Sequence, residues 1–260
     1  MLATVKTLST ARYAVYFAPV YEAAFWTAAQ HWLGRDCITG QPLSPGPVHG
    51  LDQGEIAKAT ESPRHYGFHG TLKAPFRLAE GCTLDGLRTA TARLAASQAA
   101  FLAPPLEVTA LGPFLAMTLS APSPAMSGLA DACVRDLDDL RAPLKEADLA
   151  RRLAAGLSER QEAHLRRWGY PYVFEEFRFH MTLTGRLDEE LRHRLKTVLA
   201  ERFRAHVQSP LPVREIALYE QPLPEEPFLL VERFALTGQT AAHPDAGLQD
   251  PETLSSGSPA

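Results

Sequence analysis

Two short segments of this chain repeat one pattern. "HYGFHGTLKAPF", residues 65–76, and "FRFHMTLTGR", residues 177–186, each contain a histidine, one spacer, a threonine and a leucine. At this composition nine histidines should give about one chance H-x-T-L in ten such chains, so two copies point to two structurally equivalent elements. A length of 260 residues allows one large domain or two lobes of about 100 residues each.

The pattern around the motifs fits two related halves. "RYAVYFAPV" from Arg12 has the β-branched and aromatic content of a strand, and "YEAAFWTAAQHWLG" puts Phe25, Ala29 and Trp32 at helical spacing before Gly34. Residues 35–64 are rich in proline and glycine and read as a long loop with a functional role, such as a lid. The first motif reads as a strand, followed by a helix from Thr83 and two strands joined around Gly112 and Pro113. Helical patterns fill roughly 124–168. The second motif strand follows, then a helix from Asp188 and strands near 212–220 and 227–236. Residues 1–11 form a short leader, 12–236 one bilobal domain, and 237–260, almost without large apolar residues, a disordered tail.

Alternation along a strand separates each motif into two faces. His69, Thr71 and Lys73 share one side, with Phe68, Leu72 and Ala74 on the other. Arg178, His180, Thr182, Thr184 and Arg186 separate likewise from Phe177, Phe179, Met181 and Leu183. A histidine can take or give a proton near neutrality, and a threonine hydroxyl can donate to an anionic oxygen. Two such pairs facing each other suit in-line phosphoryl displacement: one histidine activates the attacking hydroxyl or water, and the other protonates the leaving oxygen.

Composition excludes several classes. A net charge of −4 argues against holding long nucleic acid by bulk electrostatics. Cys37, Cys82 and Cys133 form no C-x-x-C pair, which disfavours a disulfide framework or a thiolate zinc site and fits a reducing cytoplasm. No segment has the apolar length of a membrane span. His65 and His69 would lie about 13 Å apart on one strand, too far for a shared metal ion, so neither metal nor cofactor is expected.

The motifs, together with "RYAVYFAP", "WLGRDCITG" and "YPYVFEEFRFHMTLTG", resemble the 2H phosphoesterase superfamily, in particular its bacterial branch associated with phosphonate metabolism. The resemblance covers roughly residues 12–236. It implies an α+β, bilobal fold of two antiparallel β-sheets with helices outside and a pseudo-twofold central cleft. It also implies metal-independent hydrolysis of a small cyclic phosphodiester, such as a phosphoribosyl cyclic phosphate, with His69 and His180 as the catalytic pair and Thr71 and Thr182 as phosphate donors. A nucleoside 2',3'-cyclic phosphate, an RNA end, or nucleotide binding without catalysis are the alternatives. A substrate with a second phosphate calls for further cations, and Lys73, Arg178 and Arg12 lie on the expected cleft faces, with Tyr16 placed to stack or hydrogen-bond.

Overall fold

The computed structural model describes residues 10–20, 23–48, 50–154 and 156–238. Apart from Thr10, Ala11, Thr237 and Gly238, the expected leader and tail lie outside the described residues. The first half runs β1 (Arg12–Phe17), α1 (Ala24–Leu33), α2 (Gln53–Tyr66), β2 (Gly70–Phe76), α3 (Leu84–Ser97), β3 (Phe101–Ala103) and β4 (Leu106–Leu111). The second runs β5 (Phe114–Leu119), α4 (Pro124–Asp136), α5 (Glu146–Leu153), α6 (Glu159–Trp168), β6 (His180–Thr182), α7 (Glu189–Phe203), β7 (Leu211–Val213) and β8 (Glu215–Gln221), with β9 (Leu229–Ala235) last.

These elements build the expected α+β architecture, with two antiparallel sheets of unequal size. Seven strands form one sheet in the order β4-β5-β6-β2-β1-β8-β9, and β3 pairs with β7 in the other. The order contains the duplication: β2 and β6, the two motif strands, pair with each other at the centre, flanked by β1 and β5. The helix after each motif strand packs on the outer strands of its own side, α3 on β8 and β9, α7 on β4 and β5.

Local chemistry sets the element ends. Gly34 terminates α1 with φ 77°, a conformation open to glycine at little cost. Thr83 and Asp188 cap α3 and α7 by accepting from the backbone N–H three residues on. The expected loop at 35–64 is a loop only in its first part. A reciprocal capping box, Asp52 with Glu55, starts the 14-residue helix α2, which even contains Pro63. The box outweighs the breakers because Gly54 falls in the first turn, and the Ala59 carbonyl, for which Pro63 has no N–H, accepts from Gly185 N–H instead.

β1 is buried on both faces. Tyr13, Val15 and Phe17 join the main core under the helices, whereas Ala14, Tyr16 and Ala18 join a smaller cluster with Trp26, Tyr219 and Phe228. Helices of the first half also clamp the second motif. The fully buried Trp32 donates its Nε1–H to the Leu183 carbonyl at 2.8 Å, and Gly185 N–H donates to Ala59 O at 2.7 Å. Emptying the Trp32 site to alanine should cost about 3–5 kcal/mol and loosen the far end of β6.

Candidate active site

Gly70 and Met181 are the paired residues between β2 and β6. In an antiparallel pair that register sets His69 opposite Thr182 and Thr71 opposite His180, all four on one face, with the two histidines diagonal neighbours about 7–8 Å apart and somewhat closer between Cβ atoms. The spacer positions face the other way. Met181 is fully buried, and a Cβ on Gly70 would lie 2.5 Å from Cε2 of Phe179, so only glycine fits there.

Both imidazoles are held alike. Nδ1 of His69 lies 2.9 Å from Gly67 O, and Nδ1 of His180 lies 2.8 Å from Arg178 O, in each case the carbonyl two residues back. A carbonyl only accepts, so Nδ1 carries the proton and Nε2 of each neutral ring is left as a base. On His69 that Nε2 is 3.2 Å from the Thr71 hydroxyl oxygen, which can donate to it.

Alternation breaks straight after each Thr. Tyr16 pairs with Thr71 but Val15 with Lys73, so Leu72 is an extra residue and β2 bulges. In β6 Ala116 pairs with Thr182, and the N–H groups of Leu183 and Thr184 then both reach Leu115 O, at 2.9 and 3.2 Å. Lys73 and Thr184 are thus equivalent, and both turn from the cleft toward the helices. Lys73 is 3% exposed, donates to Val134 O at 2.9 Å and lies 3.6 Å from the Asp138 carboxylate. Thr184 is fully buried and accepts from Leu115 N–H at 2.9 Å. Lys73 therefore leaves the cleft face expected of it and stands instead in the wall of an adjoining pocket with Arg12 and Arg77. Strand parity alone misplaced it, since a bulge inverts the alternation.

Tyr16 is also reassigned. It is 1% exposed and its ring stacks on His69, with centroids 3.8 Å apart, so it supports a histidine instead of meeting a ligand. Its counterpart in the second half is Ala116, and the nearest ring recorded by His180 is Phe114 at 6.2 Å. Enclosure has an electrostatic consequence. Burial lowers the His69 pKa to about 4; the Gly67 hydrogen bond works against this and the charge of His180 adds to it.

A cleft of about 470 Å³ opens onto this face, lined by Thr71, His180, Arg178, Phe114, Tyr170 and Tyr172 among others. Arg178 is exposed at its edge. Arg12 shares the Tyr16 face of β1, half-buried, donating to the Gln221 side chain at 2.6 Å, with its guanidinium 5.4 Å from the Phe228 ring. Motif reasoning missed Tyr170, Tyr172 and Phe114, which come from outside the motifs. The tyrosine- and proline-rich run before the second motif was the available signal. Among the described residues no group of three or more His, Cys, Asp or Glu is placed to hold a metal ion, and no helix is long and apolar enough to cross a membrane.

Among known proteins, the chain is 38% identical over 239 residues to a protein named ribose 1,5-bisphosphate phosphokinase PhnN from Janthinobacterium sp. (strain Marseille), covering 90% of this chain and 53% of that one. The chain thus spans about half the length of this curated relative. Solved structures with a similar course include TT0787 of Thermus thermophilus, at 16% identity, TM-score 0.45 and coverage of 88% and 100% of the two chains. Another is E. coli LigT complexed with 3'-AMP, at 15% identity, TM-score 0.39 and coverage of 88% and 99%. A family described as "Protein of unknown function (DUF1045)" matches residues 71–229, from Thr71 through His180 to the start of β9. With more than half of its length matched, the chain belongs to the DUF1045 family.

Proposed function

We propose that this protein is a metal-independent phosphodiesterase that opens a small ribose cyclic phosphate. The observation carrying this reading is the Gly70–Met181 register, which sets two histidines, each with Nδ1 locked on a backbone carbonyl, diagonally across one face with two threonines between them. His69, half-buried against the Tyr16 ring and neutral at pH 7, takes a proton from the attacking water through Nε2. His180, on the open side, gives a proton to the leaving ribose oxygen. Thr71 and Thr182 donate to the non-bridging oxygens as negative charge builds on them. Each proton transfer is worth about 10²–10⁴ in rate, so the pair supplies several kcal/mol without a Lewis acid. The assignment of base and acid follows from the unequal surroundings of the two rings, which the motifs alone do not show.

The name of the PhnN relative supports a ribose phosphate as the ligand class. This chain contains no G-x-x-x-x-G-K-[S/T] loop, so in our reading a kinase activity of that longer protein resides in the part this chain does not match. A nucleoside 2',3'-cyclic phosphate is the second reading, favoured by the Tyr172 and Phe114 rings on the cleft wall, which could take a base.

A panel of cyclic phosphates followed by phosphorus NMR tests both readings. Ribose cyclic phosphates should be opened with undiminished rates in EDTA, and His69→Ala or His180→Ala should abolish turnover with the fold intact. Wild-type rates in either variant would refute the assignment, and preference for nucleosides would select the second reading.

A further inference from the structure

Next to the cleft lies a narrower pocket of about 60 Å³. Ala74 and Tyr170 line both spaces, so the two adjoin. The pocket is strongly cationic, and most of its charge is already paired. Asp148 holds Arg77 at 3.5 Å and Arg151 at 2.8 Å, while Asp138 holds Arg141 at 2.8 Å. Arg12 and Arg152 differ. Arg12 bonds the neutral amide of Gln221 and Arg152 the Gly169 carbonyl at 2.9 Å, and among the described residues neither forms an ion pair.

Both guanidiniums are partly buried, and burial, with smaller contributions from the Arg151 and Arg12 charges, lowers the Arg152 pKa against the opposing charge of Asp148, which already serves Arg77 and Arg151. Holding two like charges together away from water is unfavourable unless an anion completes the site. Among the described residues each also has N–H donors not spent on protein acceptors. Arg12 lies four residues along β1 from Tyr16, on the same face, and therefore on the order of 10 Å from the His69 ring, the scale of a pentose carrying phosphates at opposite ends. The volume fits as well: about 60 Å³, against roughly 10–15 Å³ for one water, takes a phosphate-sized group and no nucleobase.

We propose that the Arg12–Arg152 pocket binds a phosphate monoester of the substrate, remote from the bond being cleaved, with Tyr170 at the border between the two spaces. This rests on the phosphodiesterase reading and sharpens it: the substrate class becomes a ribose cyclic phosphate that bears a separate terminal phosphate.

Ribose 5-phosphate, which has the monoester and no cyclic diester, is the direct probe. Calorimetry should show binding to the wild type and none of ribose, with affinity falling at least about tenfold in Arg152→Gln and in Arg12→Gln. In turnover, the preference in kcat/KM for a 5-phosphorylated ribose cyclic phosphate over the same compound lacking that phosphate should fall by a similar factor, with part restored in Arg152→Lys. Equal binding of ribose and ribose 5-phosphate, or unchanged affinity in both glutamine variants, overturns the proposal. If loss of the Gly169 contact unfolds Arg152→Gln, Arg12→Gln decides, with its thermal midpoint as the folding control. Arginine-dependent binding of ribose 5-phosphate without product from any cyclic phosphate would sink the hydrolase reading and leave the subsite standing. Hydrolysis of both cyclic phosphates at equal kcat/KM would do the reverse.

Discussion

The two halves of the sheet carry the same pair of groups on one face, Thr71 and His180 lining the cleft, on unequal foundations. His69 and His180 share a tautomer lock, and Thr71 and Thr182 share a position before a bulge. Beneath them the halves diverge: Tyr16 against Ala116 beside the ring, Gly70 against Met181 at the spacer, Lys73 against Thr184 after the bulge. The four groups keep their symmetry, whereas the surroundings of the two rings do not. In the proposed mechanism a duplicated motif thus supplies a base and an acid without any change in the motif itself.

Replacing the histidines one at a time breaks the comparison most directly. His69→Gln and His180→Gln should each lower kcat by about 10²–10⁴. They should differ in pH dependence. The base must be unprotonated, so His69→Gln should remove the acid limb of kcat/KM, expected near pH 4 in the wild type. The acid must be protonated, so His180→Gln removes the alkaline limb. Loss of the same limb in both variants would mean that the roles are shared.

The spacers come next. Gly70→Ala drives a Cβ to 2.5 Å from the Phe179 ring and should cost about 1–3 kcal/mol, a fall of several degrees in Tm. Met181→Leu, at the paired position, conserves volume and should cost under about 1.5 kcal/mol. Equal losses would show that the Phe179 contact does not constrain the first motif.

Tyr16→Leu keeps apolar bulk but uncovers one face of the His69 ring. Readmitting water favours the imidazolium, so the acid limb should move up from about pH 4 toward 6.5, by about one unit. An unmoved limb would place the cause of the low value elsewhere.

Much of this was legible in advance, for identifiable reasons. The strand from Arg12, the helices after Thr83 and Asp188, and the hairpin at Gly112 declare themselves through periodicity and caps, which act within a few residues. The shared face of His69 and Thr71, or of His180 and Thr182, needs only strand alternation. Helix α2 escapes a count of breakers, because all of those between Pro42 and Gly54 except Gly54 precede it and the Asp52–Glu55 box starts it. Lys73 was misplaced because a bulge is a property of strand pairing, invisible in one strand read alone. Arg152 and Tyr170 reach the site from a distant segment, and no local pattern marks them as neighbours of Arg12.

The post-bulge pair gives the smallest effect and a clean sign. Burial, opposed by Asp138, lowers the Lys73 pKa to about 8, against 10.5 for a free lysine. Between those values the unfolded chain holds a proton that the folded protein has released, so stability should rise as pH climbs from 8 to 10.5, by no more than about 3 kcal/mol. Lys73→Met removes that rise. At neutral pH the same substitution should change stability by only about 1 kcal/mol, because losing the cation also ends its desolvation penalty, and Asp138 keeps Arg141 and Arg167 at 2.8 and 2.9 Å. Thr184→Val strands the buried Leu115 N–H and should cost more, about 1–3 kcal/mol. Denaturant titrations of both variants at pH 7 and pH 10 measure the contrast. A rise with pH that survives in Lys73→Met would mean that another group titrates, and that the lysine is better solvated than its place behind the bulge implies.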